Sequence, residues 1–278
     1  MSRRNRSVLA ILACASVLLP AVAPSSGAAM PSPTRRAHES VVGGGRADPA
    51  QWPFAVAIFR KGRMHCSGSV ISPTKVLTAG HCVAGFNLAN LQVIIGRPTL
   101  RDTSGGQAIG VASGRVHPDF EQTGLHDVAV LNLAQSTSVT PVPLATPQED
   151  AALAAAGAQL HVAGYGATNP FGTHLSGFLK TTIEQVRTEN RCLKAYTSDL
   201  FAPESMICAL GARRKKAGRF KIHTSACSGD SGGPLVAPTP SGPIELGTVS
   251  FGGALCGLPA APSVYSRVSA SLDFINAG

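Results

Sequence analysis

Short apolar runs separated by glycine, proline and polar residues recur along the chain from about residue 50 onward. They lie at residues 54–59, 67–71, 76–78, 91–95, 128–133, 160–162, 178–186, 233–236, 246–251 and 263–268. Regular short runs with this punctuation are typical of strands, and they predict an all-β sandwich or barrel. Two stretches differ. The alanine-rich residues 151–156 fit one helical turn or a loop, and residues 269–277 predict a closing C-terminal helix.

The composition suits this fold, and the N-terminus indicates export. The 278 residues include 30 Gly and 20 Pro, and 44% of them are hydrophobic, enough for a sizeable core with many turns.

Residues 1–30 combine the basic Arg3, Arg4 and Arg6 with an apolar run at 8–23 and small residues after it. This pattern predicts a secretory signal peptide. No later run is long enough to span a bilayer, so we expect a secreted, extracellular protein without a membrane anchor.

The cysteines support an oxidising compartment. Seven are present, and Cys14 lies inside the predicted signal peptide. The other six include no Cys-x-x-Cys pair, so disulfides are expected rather than a zinc site. Six cysteines allow 15 pairings, and the spacing alone does not choose among them. They are Cys66, Cys82, Cys192, Cys208, Cys227 and Cys256.

The hexapeptide GDSGGP at residues 229–234 carries a candidate nucleophile. It places Ser231 on a glycine-rich turn directly after Asp230. Glycine-flanked serines are common in ordinary turns, and the pattern also fits the nucleophile elbow of α/β-hydrolases. The elbow requires a histidine later in the chain, and none follows Ser231. A general base for this serine must therefore come from upstream.

Two upstream segments supply the missing partners. TAGHC at residues 78–82 places His81 at the end of an apolar run, and Asp127 stands directly before another apolar run. An acid at the start of a buried strand is well placed to lie beside an imidazole. The order His81, Asp127, Ser231 matches one known order of the Ser-His-Asp triad.

With these segments the chain resembles the secreted serine endopeptidases of the chymotrypsin/trypsin family. The matches run in family order: VVGG at 41–44, TAGHC at 78–82, DVAVL at 127–131, GYG at 164–166, GDSGGP at 229–234 and VSFG at 249–252. The resemblance implies one peptidase domain of two six-stranded antiparallel β-barrels, residues 41–150 and 151–278, with a short C-terminal helix. It also implies three disulfides: Cys66–Cys82, Cys192–Cys208 and Cys227–Cys256.

The resemblance assigns catalytic roles as well. Ser231 attacks the scissile carbonyl, His81 accepts and returns the proton, and Asp127 orients the imidazole. The backbone N–H groups of Gly229 and Ser231 form the oxyanion hole. The implied protein is a monomer that cleaves proteins or peptides without a cofactor, and a proteinaceous inhibitor is a further implied partner.

Activation is expected to follow removal of a short polar propeptide, residues 31–40. In the resembled family, cleavage before the VVGG-type motif frees an α-amine that pairs with the acid before the nucleophile. Here that pair is Val41 with Asp230. The chain departs from the family at the cut, because Ser40 stands where Arg or Lys is usual. We expect maturation at the Ser40–Val41 bond.

The resemblance places a specificity pocket around Ser225, with Ser250, Phe251, Gly252 and Ser263 as its walls. Trypsin-like enzymes carry Asp at the position of Ser225. A pocket without an acid cannot offset the desolvation of a cation. The sequence therefore predicts cleavage after apolar, medium-sized residues such as Leu, Met or Ala, with Phe and Tyr also admitted.

A basic loop at residues 213–221 has no acidic residue. The whole chain has a net charge of +9, and residues 1–40 contribute five Arg and one Glu to it. The remaining residues therefore have a net charge of +5. Because the basic loop alone holds six cations, it accounts for all of this positive charge. It is either a solvated insertion or a patch that steers acidic substrates. The alternative to an active peptidase is a non-catalytic homologue that binds anionic partners through the loop. Its cations are Arg213, Arg214, Lys215, Lys216, Arg219 and Lys221.

Metal and nucleic-acid binding are not expected. The stretch that corresponds to the family's calcium loop, residues 97–113, has Asp102 as its only acid. Calcium sites need several oxygen ligands, usually carboxylates among them. Nucleic-acid binding is not expected either, because no second basic or aromatic stripe accompanies the basic loop.

Overall fold

The computed structural model describes residues 42–97, 99–214 and 221–277. The predicted signal peptide at 1–30, the predicted propeptide at 31–40, Val41 and the centre of the basic loop at 215–220 lie outside the described residues. Among the helices of the described part, none has the length and apolar character needed to cross a bilayer.

Six antiparallel strands of the first half close into a barrel. After the two-residue β1 (Gly45–Arg46), its strands are β2 (Ala55–Arg60), β3 (Arg63–Ser72), β4 (Lys75–Thr78), β5 (Leu91–Ile95), β6 (Gln107–Val116) and β7 (Ala129–Leu133). They pair in the order β2-β3-β4-β7-β6-β5. Aliphatic and β-branched side chains such as Val56, Ile58 and Leu131 fill the interior and are fully buried. Their burial stabilises this barrel by about 25 cal/mol per Å² of apolar surface.

The second half forms another six-stranded antiparallel barrel. Its strands are β8 (Gln159–Gly164), β9 (Lys180–Val186), β10 (Met206–Gly211), β11 (Pro234–Thr239), β12 (Gly242–Phe251) and β13 (Ser263–Arg267). They run in the order β9-β10-β13-β12-β11-β8, and pairing of β8 with β9 closes the ring. The predicted fold class is thereby confirmed.

The two ends of the described chain each cross to the opposite barrel. Strand β1 pairs with β9 of the second barrel rather than with the first barrel. The C-terminal helix packs Ile275 against Leu77, Val128 and Val130 of the first barrel. These two crossings tie the barrels together.

Four short helices connect or close the barrels. They are α1 (Pro118–Thr123), α2 (Pro147–Leu153), α3 (Glu189–Leu200) and α4 (Leu272–Asn276). The first half of the alanine-rich stretch, residues 151–153, is the end of α2, and residues 154–156 follow the helix. The helix begins earlier than predicted because Thr146 and Glu149 form a capping box. Each side chain of that box satisfies a backbone N–H that the helix leaves free. The closing helix α4 follows a short 3-10 turn, Ser269–Ser271.

Five of these elements were not predicted from the apolar pattern, namely β1, α1, β6, α3 and β10. Half of the residues of strand β6 are exposed and only one is buried, and the strand contains Gly110 and Gly114, so it shows no alternation of apolar and polar residues. It is a strand because it pairs with β5 and β7 on either side. Helix α3 buries only Cys192 and Tyr196, and β10 is a short apolar run without clear boundaries.

Candidate active site

His81 and Asp127 meet where two neighbouring strands of the first barrel end. Strands β4 and β7 are paired, with Thr78 opposite Ala129, so the turn after β4 lies beside the residue that precedes β7. His81 donates its backbone N–H to Asp127 Oδ1 at 2.8 Å, and its Nδ1 lies 2.7 Å from Asp127 Oδ2. A carboxylate only accepts, so Nδ1 carries the proton and Nε2 of the neutral ring keeps its lone pair.

A tight turn aims the Asp127 carboxylate at His81. The Val128 N–H donates to the His126 carbonyl at 2.7 Å, which closes a three-residue turn with Asp127 at its centre. His126 has φ at 52°, a left-handed conformation that few non-glycine residues adopt. The Asp127 side chain is buried and also accepts a hydrogen bond from Ser250 Oγ. The carboxylate is therefore held by three donors.

Ser231 lies between the two barrels on a loop with a dense set of backbone hydrogen bonds. Its carbonyl accepts from the Ser67 N–H of the first barrel at 2.8 Å. Gly232 donates to the Val249 carbonyl at 2.7 Å, which attaches the loop to the second barrel. Gly232 has φ at 77°, and a Cβ there would lie 2.0 Å from Thr78 Oγ1, so only glycine fits. The loop thus fixes Ser231 relative to both barrels.

Two backbone donors beside Ser231 are free. Within the part of the chain that the structure describes, the N–H groups of Gly229 and Ser231 donate to no acceptor. Gly229 has φ at 91°, a backbone conformation that favours glycine. Free N–H groups next to a serine hydroxyl are suited to bind an oxyanion.

Three disulfides cross-link the part of the chain that the structure describes. They are Cys66–Cys82, Cys192–Cys208 and Cys227–Cys256, the same pairs that the resemblance implies. The first joins β3 to the turn that carries His81. The Cys66 and Cys82 sulfurs also lie within 4.8 Å of a His81 ring nitrogen. Because these two sulfurs are bonded to each other, they do not offer the thiolates that a metal would need.

Asp230 is a buried acid. Its carboxylate accepts from the Gly166 N–H at 2.8 Å and from the Cys227 N–H at 2.9 Å. Burial raises its pKa to about 7, and the two backbone donors offset only part of that effect. Among the described residues, no Lys, Arg or His forms an ion pair with it. Val41, its expected partner, lies outside the described residues, but the next residue, Val42, is buried.

A cavity of about 220 Å³ adjoins Ser231. This is smaller than the roughly 300–1,000 Å³ of drug-sized sites, so it suits a single side chain. All five residues expected to form the specificity pocket line it: Ser225, Ser250, Phe251, Gly252 and Ser263. The hydroxyl of Ser250, however, is bound to Asp127 rather than left free for the pocket.

Behind the floor of the pocket lies an acid that was not predicted from the sequence. Ser225 Oγ lies 2.9 Å from Ser263 Oγ, and Ser263 Oγ donates to Glu184 Oε1 at 3.4 Å. Glu184 is fully buried on β9, where its side chain faces inward with those of Thr182 and Val186. The signal that could have identified Glu184 is its place on the inward face of a strand, because acids are rarely buried without a specific partner. Its neighbours in the pocket could be known only from the strand register.

The basic loop is described only at its two ends. Arg213 forms a β-bridge with His223, and the Arg214 N–H donates to the Ile222 carbonyl at 2.8 Å. The Ser225 N–H, just beyond, donates to the Val42 carbonyl. The base of the loop therefore lies next to the N-terminal segment and to the pocket floor.

Comparisons with known proteins match nearly all of the described chain. A family model described as Trypsin matches residues 41–275. A trypsin of Saccharopolyspora erythraea is 32% identical over 244 residues, 86% of this chain and 99% of that protein. Trypsin 5G1 of Aedes aegypti is 34% identical over 245 residues, 86% of this chain and 85% of that protein. Serine protease 57 of Rattus norvegicus is 30% identical over 239 residues, 84% and 81% respectively.

Proposed function

Because the chain belongs to the trypsin family of serine endopeptidases, we propose that Ser231, His81 and Asp127 are its catalytic triad. Members of this family hydrolyse peptide bonds in proteins and peptides. The observation that carries the assignment is the 2.7 Å contact between His81 Nδ1 and Asp127 Oδ2. The position of Ser231 in the lining of a pocket of side-chain size supports it.

The reaction proceeds through an acyl-enzyme. Ser231 Oγ attacks the scissile carbonyl carbon, and its proton passes to His81 Nε2. The imidazolium gives that proton to the leaving amine as the C–N bond breaks, which leaves an ester on Ser231. Water then attacks the ester, with His81 again as the base. Asp127 keeps the proton on Nδ1 and stabilises the imidazolium without becoming protonated.

The free N–H groups of Gly229 and Ser231 form the oxyanion hole in this proposal. They donate to the carbonyl oxygen as it gains negative charge in the tetrahedral intermediate. Each such donor contributes about 3 kcal/mol to transition-state stabilisation. Since neither group has a partner to give up among the described residues, no hydrogen bond is broken when substrate arrives.

Activation follows cleavage of the Ser40–Val41 bond. The new α-ammonium group of Val41 enters the protein and pairs with the Asp230 carboxylate. Two observations support this step: Asp230 is buried with a pKa raised to about 7, and Val42 is already buried. A cation at this place would favour the ionised carboxylate. N-terminal sequencing of the secreted protein tests the step, and a first residue other than Val41 would contradict it.

Near neutral pH the enzyme cleaves after apolar, medium-sized residues. The pocket is about 220 Å³ in volume and its floor carries two serine hydroxyls. Selectivity within the apolar class is broad, because one methylene changes the discrimination by only about 1–3 kcal/mol. A panel of peptides that differ only in the residue before the cut tests this. Preference for Arg over Leu at pH 7 would contradict it.

The protein acts outside the cell as a monomer and needs no cofactor. The predicted signal peptide and the three disulfides support export. Its partners are protein or peptide substrates and a proteinaceous inhibitor, and we expect it to bind neither nucleic acid nor a membrane.

Hydrolysis of a fluorogenic peptide by the activated protein tests the triad. Ser231→Ala and His81→Ala should each lower kcat by about 10⁶-fold, because either change disables the nucleophile. Ser241→Ala is the matched control, since Ser241 is an exposed serine in the turn between β11 and β12. Retention of activity by Ser231→Ala would reject the proposed nucleophile.

A further inference from the structure

Glu184 lies directly behind the floor of the specificity pocket. Its Oε1 accepts from the Ala226 N–H at 2.9 Å and from Ser263 Oγ at 3.4 Å. Both Ala226 and Ser263 line the pocket. The carboxyl is therefore separated from a bound side chain by one layer of atoms. None of the catalytic steps above uses it.

When Glu184 is ionised, the hydrogen-bonding groups at the floor include more acceptors than donors. Ser225 gives its one hydroxyl proton to the Ala226 carbonyl at 2.8 Å. The one proton of Ser263 is shared between Ser225 Oγ and Glu184 Oε1. The hydroxyl of Tyr265, buried beside the Glu184 carboxyl, is the remaining donor to that group. When Glu184 is ionised, the hydroxyl oxygens of Ser225 and Ser263 keep unused lone pairs, so this floor favours a ligand that brings N–H groups.

An alkylammonium group satisfies this floor. It carries three N–H donors and no acceptor, so it donates to the hydroxyl oxygens of both Ser225 and Ser263. The Ser263 proton is then free to turn fully toward Glu184 Oε1. The ammonium charge also favours ionisation of the carboxyl. The apolar stem of a lysine side chain occupies the space that a leucine or methionine side chain would fill.

The groups that face Glu184 leave its charge unbalanced. Tyr265 approaches from β13, Ser263 precedes it on the same strand, and Asp230 acts from the loop of Ser231. None of them is a cation. Burial is the largest influence and raises the Glu184 pKa to about 8, so the carboxyl is mostly protonated at neutral pH.

We propose that Glu184 is a specificity-determining residue: acting through Ser263, it enables the pocket to accept a lysine side chain in addition to apolar ones. This inference rests on the proposed peptidase function and extends its substrate class. Lysine acceptance should increase from pH 7 to pH 9, while the lysine ammonium itself stays protonated. Glu184 thereby supplies the acid that the position of Ser225 lacks.

Two peptides that differ only in norleucine or lysine before the cut test the proposal. The two side chains share a four-carbon stem, so the ratio of their kcat/KM values isolates the ammonium. We expect the lysine-to-norleucine ratio to rise about tenfold from pH 7 to pH 9, following ionisation of a free-enzyme group with a pKa of about 8. Effects of pH on His81 or on the α-amine cancel in this ratio.

The variant Glu184→Gln should give a ratio that is independent of pH and at least tenfold below the wild-type ratio at pH 9. Ser263→Ala is a second variant, in case Glu184→Gln fails to fold, and it should also lower the ratio. Glu245→Gln is the matched control, because Glu245 is equally buried with a pKa raised to about 8, but the side chain that interacts with it is Ser69, which does not line the pocket. A pH-independent wild-type ratio, or one that Glu184→Gln leaves unchanged, would overturn the proposal.

Binding of n-pentylamine to the activated Ser231→Ala protein separates this proposal from the catalytic one. Calorimetry should show affinity about tenfold higher at pH 9 than at pH 7, and the increase should be lost in Ser231→Ala/Glu184→Gln. If that binding is found but the wild type hydrolyses neither peptide, the proposed function fails and the pocket inference stands. If norleucine peptides are cleaved but the amine binds equally at both pH values, the proposed function stands and the pocket inference fails.

Discussion

The buried Asp230 carboxyl makes the stability of the precursor depend on pH. Its pKa in the folded protein is raised from the ordinary 3.8 to about 7, mainly by burial. The folded state therefore holds this proton more tightly than the unfolded chain does. The resulting stabilisation is complete below about pH 4 and is lost as the pH rises to about 7 and above. Asp230→Asn removes the titration while it keeps the size of the side chain.

The expected magnitude follows from the pKa shift. A shift of about 3 units at about 1.36 kcal/mol per unit gives about 4 kcal/mol over the whole pH range. Between pH 5 and pH 8 the wild type should lose about 3 kcal/mol of that amount. The Asn amide places an N–H₂ group near the backbone N–H of Cys227 or Gly166, which costs about 1–3 kcal/mol. That cost is the same at both pH values and cancels in the comparison.

Urea unfolding at pH 5 and pH 8 measures this difference. The chain has a single tryptophan, the buried Trp52, whose fluorescence reports unfolding. Both precursors should carry Ser231→Ala, which prevents self-digestion. The stability of Asp230→Asn relative to the wild type should rise by about 3 kcal/mol from pH 5 to pH 8. The exposed Asp199 provides the matched control, and Asp199→Asn should show no such change.

The form that begins at Val41 should respond in the opposite direction. In the activation step that we propose, the Asp230 carboxylate of this form is ionised and paired with the α-ammonium group, so Asp230→Asn should destabilise the protein at pH 7 by about 3–5 kcal/mol. A precursor whose relative stability is the same at both pH values would refute the reasoning, because it would mean that burial does not hold the proton on Asp230.

Three other substitutions test the site and the fold. Asp127→Asn should lower kcat by about 10⁴-fold with little change in KM, since the amide would stabilise the wrong tautomer of His81; steady-state kinetics with a peptide substrate measure it. Replacing Cys227 and Cys256 by Ala should lower the free energy of unfolding by about 3–4 kcal/mol, because their disulfide closes a loop with a separation of 29 residues. Thr146→Ala should lower the free energy of unfolding by about 1 kcal/mol, because the α2 cap is lost. Urea unfolding measures this loss, and kcat should not change.

The two barrels and the contact between His81 and Asp127 could be predicted from the sequence. Both residues stand at ends of apolar runs, and runs that become neighbouring strands bring their ends together. The exposed strand β6 could not be predicted, because its place is set by pairing with β5 and β7 rather than by its own residues. Helix α2 could have been placed better, since Thr146 and Glu149 form a recognisable capping box.

The groups behind the pocket floor could not be predicted from the sequence. Ser225 lacks the acid of trypsin-like enzymes, and this absence alone led to an apolar pocket as the prediction. Glu184 is 41 residues upstream of Ser225 and reaches the floor because β9 pairs with β10 in the second barrel. Likewise, Ser250 lines the pocket as expected, but only the structure shows that its hydroxyl binds Asp127. The directions of the Glu184 and Ser250 side chains depend on how the strands pair, and the sequence does not reveal that register.

Covalent labelling shows directly whether Ser231 is the nucleophile of an active peptidase. The activated protein, treated with a peptidyl phosphonate that has leucine at the position before the cut, should gain one label, and mass spectrometry should locate it on the peptide that contains Ser231. His81→Ala should label far more slowly, and Ser231→Ala should not label. Absence of label on the correctly processed, folded wild type, or a label on any other serine, would contradict the account and favour a non-catalytic homologue.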